Sequence, residues 1–331
     1  MKKSVLLSIC IILAIIAVCC ALRFFVERDE NTWLCENGAW VKHGNPADVA
    51  PSIGCETQAN TMKDTFTYNW STMDTGPYGD SVTFAISTDL TTWYPSGEIL
   101  AIHASVPGAV IKDGKIFVYY VNVSEDGKAE QTGFVTSDDN GRTWSDEQLL
   151  EIQGIENRAV ADPDPVLLED GRIRLYYFDI NESRVNPSNN RVPSPQRIYS
   201  AVSSDGVNFT QENGVRFVRD GAFDPDVERD GNTWRMYVGT PDNEVVSAIS
   251  TDGLNFTEEG VAFSEGAVPD VFLEGGTWHL FTAGINIATS TDGKTFTATG
   301  KSFHSPNTQM TADPSVVKLS TGKYLMLYKI R

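Results

Sequence analysis

Basic residues are scarce in this chain. Against 44 Asp and Glu it carries 26 Lys and Arg in 331 residues, a formal net charge of −18. Nucleic-acid binding is excluded as an expectation, because neutralising phosphates needs clustered Lys and Arg that the sequence does not supply. No Gly-rich phosphate loop, His-Glu-x-x-His helix or nucleophile-elbow sequence occurs, and no loop has EF-hand spacing. Of only five cysteines, Cys10, Cys19 and Cys20 fall inside one apolar stretch, leaving Cys35 and Cys55. Long apolar runs are also lacking, with one exception near the start. What the chain has in quantity is 27 Gly, 15 Pro and 10% aromatic residues in short runs, the texture of an all-β protein rather than a helical one. Its 41% hydrophobic content is enough for a packed core.

The exception is the 18-residue stretch Val5–Leu22, preceded by Lys2 and Lys3 and broken only by Ser8. Residues 1–26 therefore read as a signal anchor or a cleaved signal peptide; the run is near the lower limit for crossing a bilayer. The anchor is the preferred reading, with secretion after cleavage as the alternative. Val18 and Cys19 fit poorly before a lipidated cysteine. Basic residues stay on the cytoplasmic side, which sends the remainder outward. Cys35 and Cys55, outside the membrane and with none spare, are expected to close a disulfide in a stapled stalk over residues 27–60.

From residue 61 to 331 the chain repeats itself. A Pro-centred strand start, a hairpin and a hydrophobic strand recur around Pro107, Pro163, Pro225, Pro269 and Pro314, spaced 56, 62, 44 and 45 residues apart. A second unit, a strand ending in Ser-x-Asp followed by a turn and an aromatic, begins at Ser87, Ser137, Ser203, Ser250 and Ser290. Each pair of units supplies four strands, which predicts a five-bladed β-propeller. The chain opens with an outer half-blade (about 61–100) and ends with an inner half-blade (about 312–331), so the two ends are expected to complete one sheet and leave no edge unpaired.

Ser137-x-Asp139-x-Gly141-x-Thr143-Trp144 matches the Asp-box of sialidases and related propellers, and the other four copies are degenerate. The Asp-Pro-x-Val strand starts and the blade count more closely resemble five-bladed glycosidases of the arabinanase, xylosidase and fructosidase type. The Ser and Asp of each box are expected to cap a turn rather than to react. The resemblance implies an Asp at one strand start as base or nucleophile, a second Asp that orients or stabilises, and a Glu from another blade as acid.

The residues before each shared Pro are Val106, Asp162, Asp224, Val268 and Asp313; those after it are Gly108, Asp164, Asp226, Asp270 and Ser315. Strand alternation places both sets on one face, directed at the axis, where crowded carboxylates raise one another's pKa. Asp162 and Asp224 match the two Asp slots, with Asp313 as a third candidate. Glu265, in Glu265-Gly266-Ala267-Val268-Pro269, resembles the acid motif with two extra residues, while Val268 holds the aligned slot. Variation between Asp, Val and Gly among blades favours function, since a structural device should recur in all five. Substrate contacts are assigned to Asp164, Asp226, Asp270, Arg158, His103, His304 and Arg197, the last from a long insertion, Asn181–Arg197, on the second repeat.

The resulting expectation is an extracytoplasmic, membrane-anchored propeller, acting on a glycan or polysaccharide as a glycoside hydrolase. A lectin-like binding propeller and a protein-interaction scaffold are the alternatives. No cofactor is required, calcium suits clustered Asp oxygens, and a monomer is expected.

Overall fold

A computed structural model describes residues 32–36, 39–43, 76–123, 130–155, 160–179 and 195–331. The chain divides into two compact units, Met1–Thr61 and Met62–Arg331. In the first, strands Thr32–Glu36 and Ala39–His43 pair as an antiparallel hairpin. Cys55 and the apolar segment before residue 27 lie outside the described residues, so the disulfide and the anchor do too. Among the described residues no helix is long and apolar enough to cross a membrane.

The second unit is a five-bladed propeller. Its inner strands are Ala104–Lys112, Val160–Leu167, Phe223–Asp230, Asp270–Glu274 and Thr311–Lys318, opening blades I to V in that order. Every blade is an antiparallel meander, because each inner strand turns through a short hairpin into a nearly all-buried second strand such as Lys115–Asn122 or Ile173–Asp179. Such continuous burial comes from packing between two neighbouring sheets. Blade V is composite: the C-terminal strand Tyr324–Ile330 pairs along its whole length with Ser81–Ser87, and Trp93–Ile102 forms the outer edge. The expected closure by the two ends of the repeat region is therefore observed. Blade II departs from four strands. Glu151–Gln153 joins its outer strand in parallel and Phe217–Arg219 pairs with its third strand, making six.

The Ser-x-Asp turns link third to fourth strands, at the end of the propeller opposite the starts of the inner strands. In blade I, Gly141 N–H donates to Ser137 Oγ at 2.9 Å, and Arg142 and Thr143 N–H donate to Asp139 Oδ1 at 3.0 and 2.9 Å. The same bonds recur at Ser87/Asp89, Ser203/Asp205, Ser250/Asp252 and Ser290/Asp292. Hydrogen bonds to the charged form hold Asp139 down at about 2. The aromatic after each turn then packs against the preceding blade. All five joints contain such a pair: Tyr119–Phe209, Tyr176–Phe256, Tyr237–Phe296, Phe281–Trp93 and Phe84–Trp144, with centroids 5.7 to 6.1 Å apart.

Candidate functional site

The five inner strands start around the axis with one unusual backbone conformation. Val106, Asp162, Asp224, Val268 and Asp313 all have φ between 46° and 59°, the left-handed region that L-residues, and β-branched ones above all, seldom adopt. In blades I, II, III and V the ladder register also slips across the same residues, between Ser105 and Gly108, Ala161 and Asp164, Phe223 and Asp226, and Ala312 and Ser315. This is a bulge that re-aims a side chain at a strand start. Simple alternation therefore fails here. Instead of one face, the positions before and after Pro form two tiers with different partners.

The tier after Pro stitches the blades together. Asp164 Oδ2 accepts Val227 N–H at 2.9 Å, Asp226 Oδ2 accepts Val271 N–H at 3.1 Å, and Asp270 Oδ1 accepts Val316 N–H at 3.3 Å. Ser315 Oγ continues the ring by accepting Ala109 N–H at 3.0 Å. At the fifth joint, a Cβ on Gly108 would stand 2.1 Å from the Pro163 carbonyl oxygen and 2.7 Å from Pro165 Cδ, so only glycine fits. The glycine at this position of blade I thus has a steric cause. Burial pushes Asp164, Asp226 and Asp270 well above the ordinary carboxylate range; like charge from Asp270 adds to this at Asp164, and from Asp164 and Asp270 at Asp226. Further along the blade III strand, burial raises Glu228 to about 7, although Arg229 and Leu273 N–H donate to it.

The tier before Pro behaves differently. Asp162 and Asp224, on adjacent blades, share a side-chain hydrogen bond, and Asp162 Oδ2 also accepts Asp224 N–H at 3.4 Å. Both are shifted up, first by burial. Asp224 rises further through the charge of Asp162, whereas the bond from Asp224 partly offsets the rise at Asp162. Burial and mutual repulsion therefore favour a single proton shared by the pair. Asp313 stands apart from them in ring order, between Val268 and Val106, and its Oδ2 lies 2.6 Å from Lys329 Nζ. Lys329 is also 3.6 Å from Asp80 Oδ2 and donates to Ser105 Oγ at 3.3 Å, while Asp80 Oδ1 accepts from Arg331 Nε at 2.7 Å.

The two tiers and the five prolines line an axial cavity of about 30 Å³, room for about two waters. Asp162, Asp164, Asp224, Asp226, Asp270 and Asp313 all line it. Glu265 does not: it is exposed on the loop before blade IV, and Val268 occupies the axial position. His103 and His304 are also outside the lining. His103 Nδ1 is bonded to Tyr78 O at 2.7 Å, and exposed His304 bonds through Nε2 to Thr308 O at 3.1 Å. Arg197 is half-buried on the third strand of blade II. Arg158 and residues 180–194 lie outside the described residues. Among the described residues no group of three or more His, Cys, Asp or Glu is arranged as metal ligands.

Sequence reasoning missed Lys329, Asp80 and Glu228. The signal for Lys329 was a lone cation in the otherwise apolar strand Tyr324–Ile330. Asp80 directly precedes a strand and had no distinguishing pattern.

No protein-family model matches the chain, and no curated protein does. Among solved structures, the fold is similar to a GH43_1 enzyme from Xanthomonas citri complexed with xylose, at 14% identity and TM-score 0.52 over 69% of this chain and 86% of that one. It is similar to an α-L-arabinofuranosidase from Clostridium thermocellum at 16% identity and TM-score 0.52, over 67% and 80% of the two chains. A GH32 β-fructofuranosidase from Bombyx mori aligns at 18% identity and TM-score 0.52, over 74% of this chain and 56% of that one. The five-bladed propeller is thus an architecture that this chain shares with glycosidases.

Proposed function

We propose that the chain is a glycoside hydrolase working outside the cytoplasm, with its chemistry in the tier before Pro. The observation that carries this reading is the division among three axial carboxyls: Asp162 and Asp224 form a buried hydrogen-bonded pair on adjacent blades, while Asp313 stands apart in an ion pair with Lys329. Glycoside hydrolysis needs one carboxylic acid and one carboxylate on opposite sides of the scissile bond. A hydrogen-bonded pair is too close to flank a glycosidic bond, whose two carboxyls stand about 5–9.5 Å apart. Asp162 and Asp224 therefore act as one unit. The pair gives its shared proton to the leaving oxygen. Asp313 attacks the anomeric carbon or takes the proton of the attacking water.

A glycan-binding propeller without turnover is the second reading, favoured by Val268 at the axial position of blade IV and by the exposure of Glu265. One experiment separates them: sugar release by the purified chain from a panel of xylosides, arabinosides, fructosides and polysaccharides, beside Asp224→Asn and Asp313→Asn. The hydrolase reading expects each variant to lose about 10²–10⁴-fold in rate. Equal release by both variants overturns the assignment. Saturable glycan binding with no release by the wild type establishes the second reading.

A further inference from the structure

Lys329 is the only lysine or arginine among the described residues that meets an axial carboxylate, and it comes from the second strand of blade V rather than from any strand start. It is largely buried, with 15% of its side chain exposed, and Asp80 beside it has none. We propose that Lys329 is a positioning residue that fixes the negative charge of the tier before Pro on Asp313 and so leaves the shared proton on the Asp162–Asp224 pair. This rests on the hydrolase reading and adds to it a named cause for the division of roles.

Three carboxyls around one small cavity cannot all ionise, because like charges in a poorly solvated space repel. Which of them carries the charge is decided by the nearest fixed cation. Lys329 Nζ meets Asp313 at 2.6 Å, whereas Asp162 and Asp224 feel it only through space. Its own position is set by groups from three elements. Asp313 approaches from the inner strand of blade V, Ser105 Oγ from blade I, and Asp80 from the residue preceding Ser81–Ser87. Asp80 is itself tied to Arg331 at 2.7 Å. Burial opposes charge on Lys329, but the Asp313 and Asp80 carboxylates outweigh it and hold the ammonium firmly protonated.

The arrangement couples the site to ring closure. Asp80 belongs to the N-terminal half of blade V and Lys329 to the C-terminal half, so the cation reaches its place only in the closed ring.

The test is a carbon-13 NMR pH titration of the full chain carrying labelled Asp side-chain carboxyls, with signals assigned by Asp162→Asn, Asp224→Asn and Asp313→Asn. In the wild type at neutral pH, Asp313 is expected ionised and the Asp162–Asp224 pair to hold one proton. A protonated Asp313 beside a fully ionised pair overturns the proposal without any Lys329 variant having to fold. In Lys329→Met the three carboxyls are expected to hold one more proton at the same pH, and in Lys329→Arg the wild-type pattern returns. An unchanged proton count in Lys329→Met overturns the proposal. Where a substrate is found, the acidic limb of the kcat/KM profile of Lys329→Met moves up by about 1–3 pH units, the shift expected on losing an opposite charge in contact. A pH-independent loss would mark a merely structural lysine. The expected NMR pattern together with no sugar release would count against the hydrolase reading alone.

Discussion

At the scale of single residues, six axial aspartates of similar appearance divide by what their oxygens meet. Asp226 Oδ2 receives a backbone N–H from the next blade, a task an amide oxygen performs equally well. Asp226→Asn should therefore fold with unchanged or higher thermal stability at neutral pH, having lost like-charge repulsion from Asp164 and Asp270. Asp226→Ala leaves Val271 N–H buried without an acceptor and should cost about 1–3 kcal/mol in chemical denaturation. Equal destabilisation by the two substitutions would refute the stitching role. Gly108 is the sharper case. Its neighbours at 2.1 and 2.7 Å are backbone and a proline ring, neither of which can swing aside, so Gly108→Ala should shift blade I from blade II and lower the melting temperature by several degrees or more.

At the scale of the element, the blade is a four-stranded meander whose second strand makes the joint to its neighbour. Tyr119, Tyr176 and Tyr237 occupy one register on three second strands, each opposite the residue after Pro. Their hydroxyls donate to the carbonyls of Gly206, Gly253 and Gly293 in the next blade's turn, at 2.7, 2.8 and 2.7 Å. In blade IV the register holds Phe281, opposite the turn containing Leu90 and stacked edge-on with Trp93 at 5.9 Å, so an apolar contact replaces the bond. Tyr237→Phe should cost about 1–2 kcal/mol by removing a buried donor from the Gly293 carbonyl, while the aromatic pair with Phe296 persists. A melting curve indistinguishable from wild type would show the bond to be dispensable. Arg174 and Arg235 reinforce the same joints, each paired with a glutamate of its own blade, Glu212 or Glu259, and lying over Trp234 or Trp278 of the next.

At the scale of the molecule, an axis lined with raised carboxylates makes stability depend on pH in an unusual direction. Glu228 has its ordinary value of 4.5 when unfolded and about 7 when folded, so between those values the native state binds more protons than the unfolded chain. Its contribution is complete below the unfolded value and is lost as pH rises towards 7. The difference amounts to about 3 kcal/mol at most, and Asp164, Asp226 and Asp270 act in the same direction. The melting temperature should therefore fall between pH 5 and about 8. Glu228→Gln, which keeps an acceptor for Leu273 N–H, should flatten part of that slope; an identical slope in the variant would remove Glu228 from the account.

The sequence by itself determined the ring. Five prolines and five Ser-x-Asp turns at repeating intervals specify local strand starts and local turns, and an outer half-blade at one end with an inner half at the other leaves one consistent closure. Such features are legible because their hydrogen bonds run between residues two to four apart, as at Ser137 and Asp139. It also pointed to the residues beside the prolines as the lining of the axis. Only the tertiary structure decided which partner each of those carboxylates meets. Alternation along one strand cannot anticipate a left-handed residue before each Pro, and the fate of an Asp depends on a neighbour distant in the chain. Asp164 and Val227 are 63 residues apart, and Ser315 and Ala109 are 206 apart. Lys329 reaches the axial carboxylates from a strand that reads as apolar core, and its partner Asp80 lies at the other end of the propeller sequence, so their joint effect on Asp313 exists only once the ring has closed.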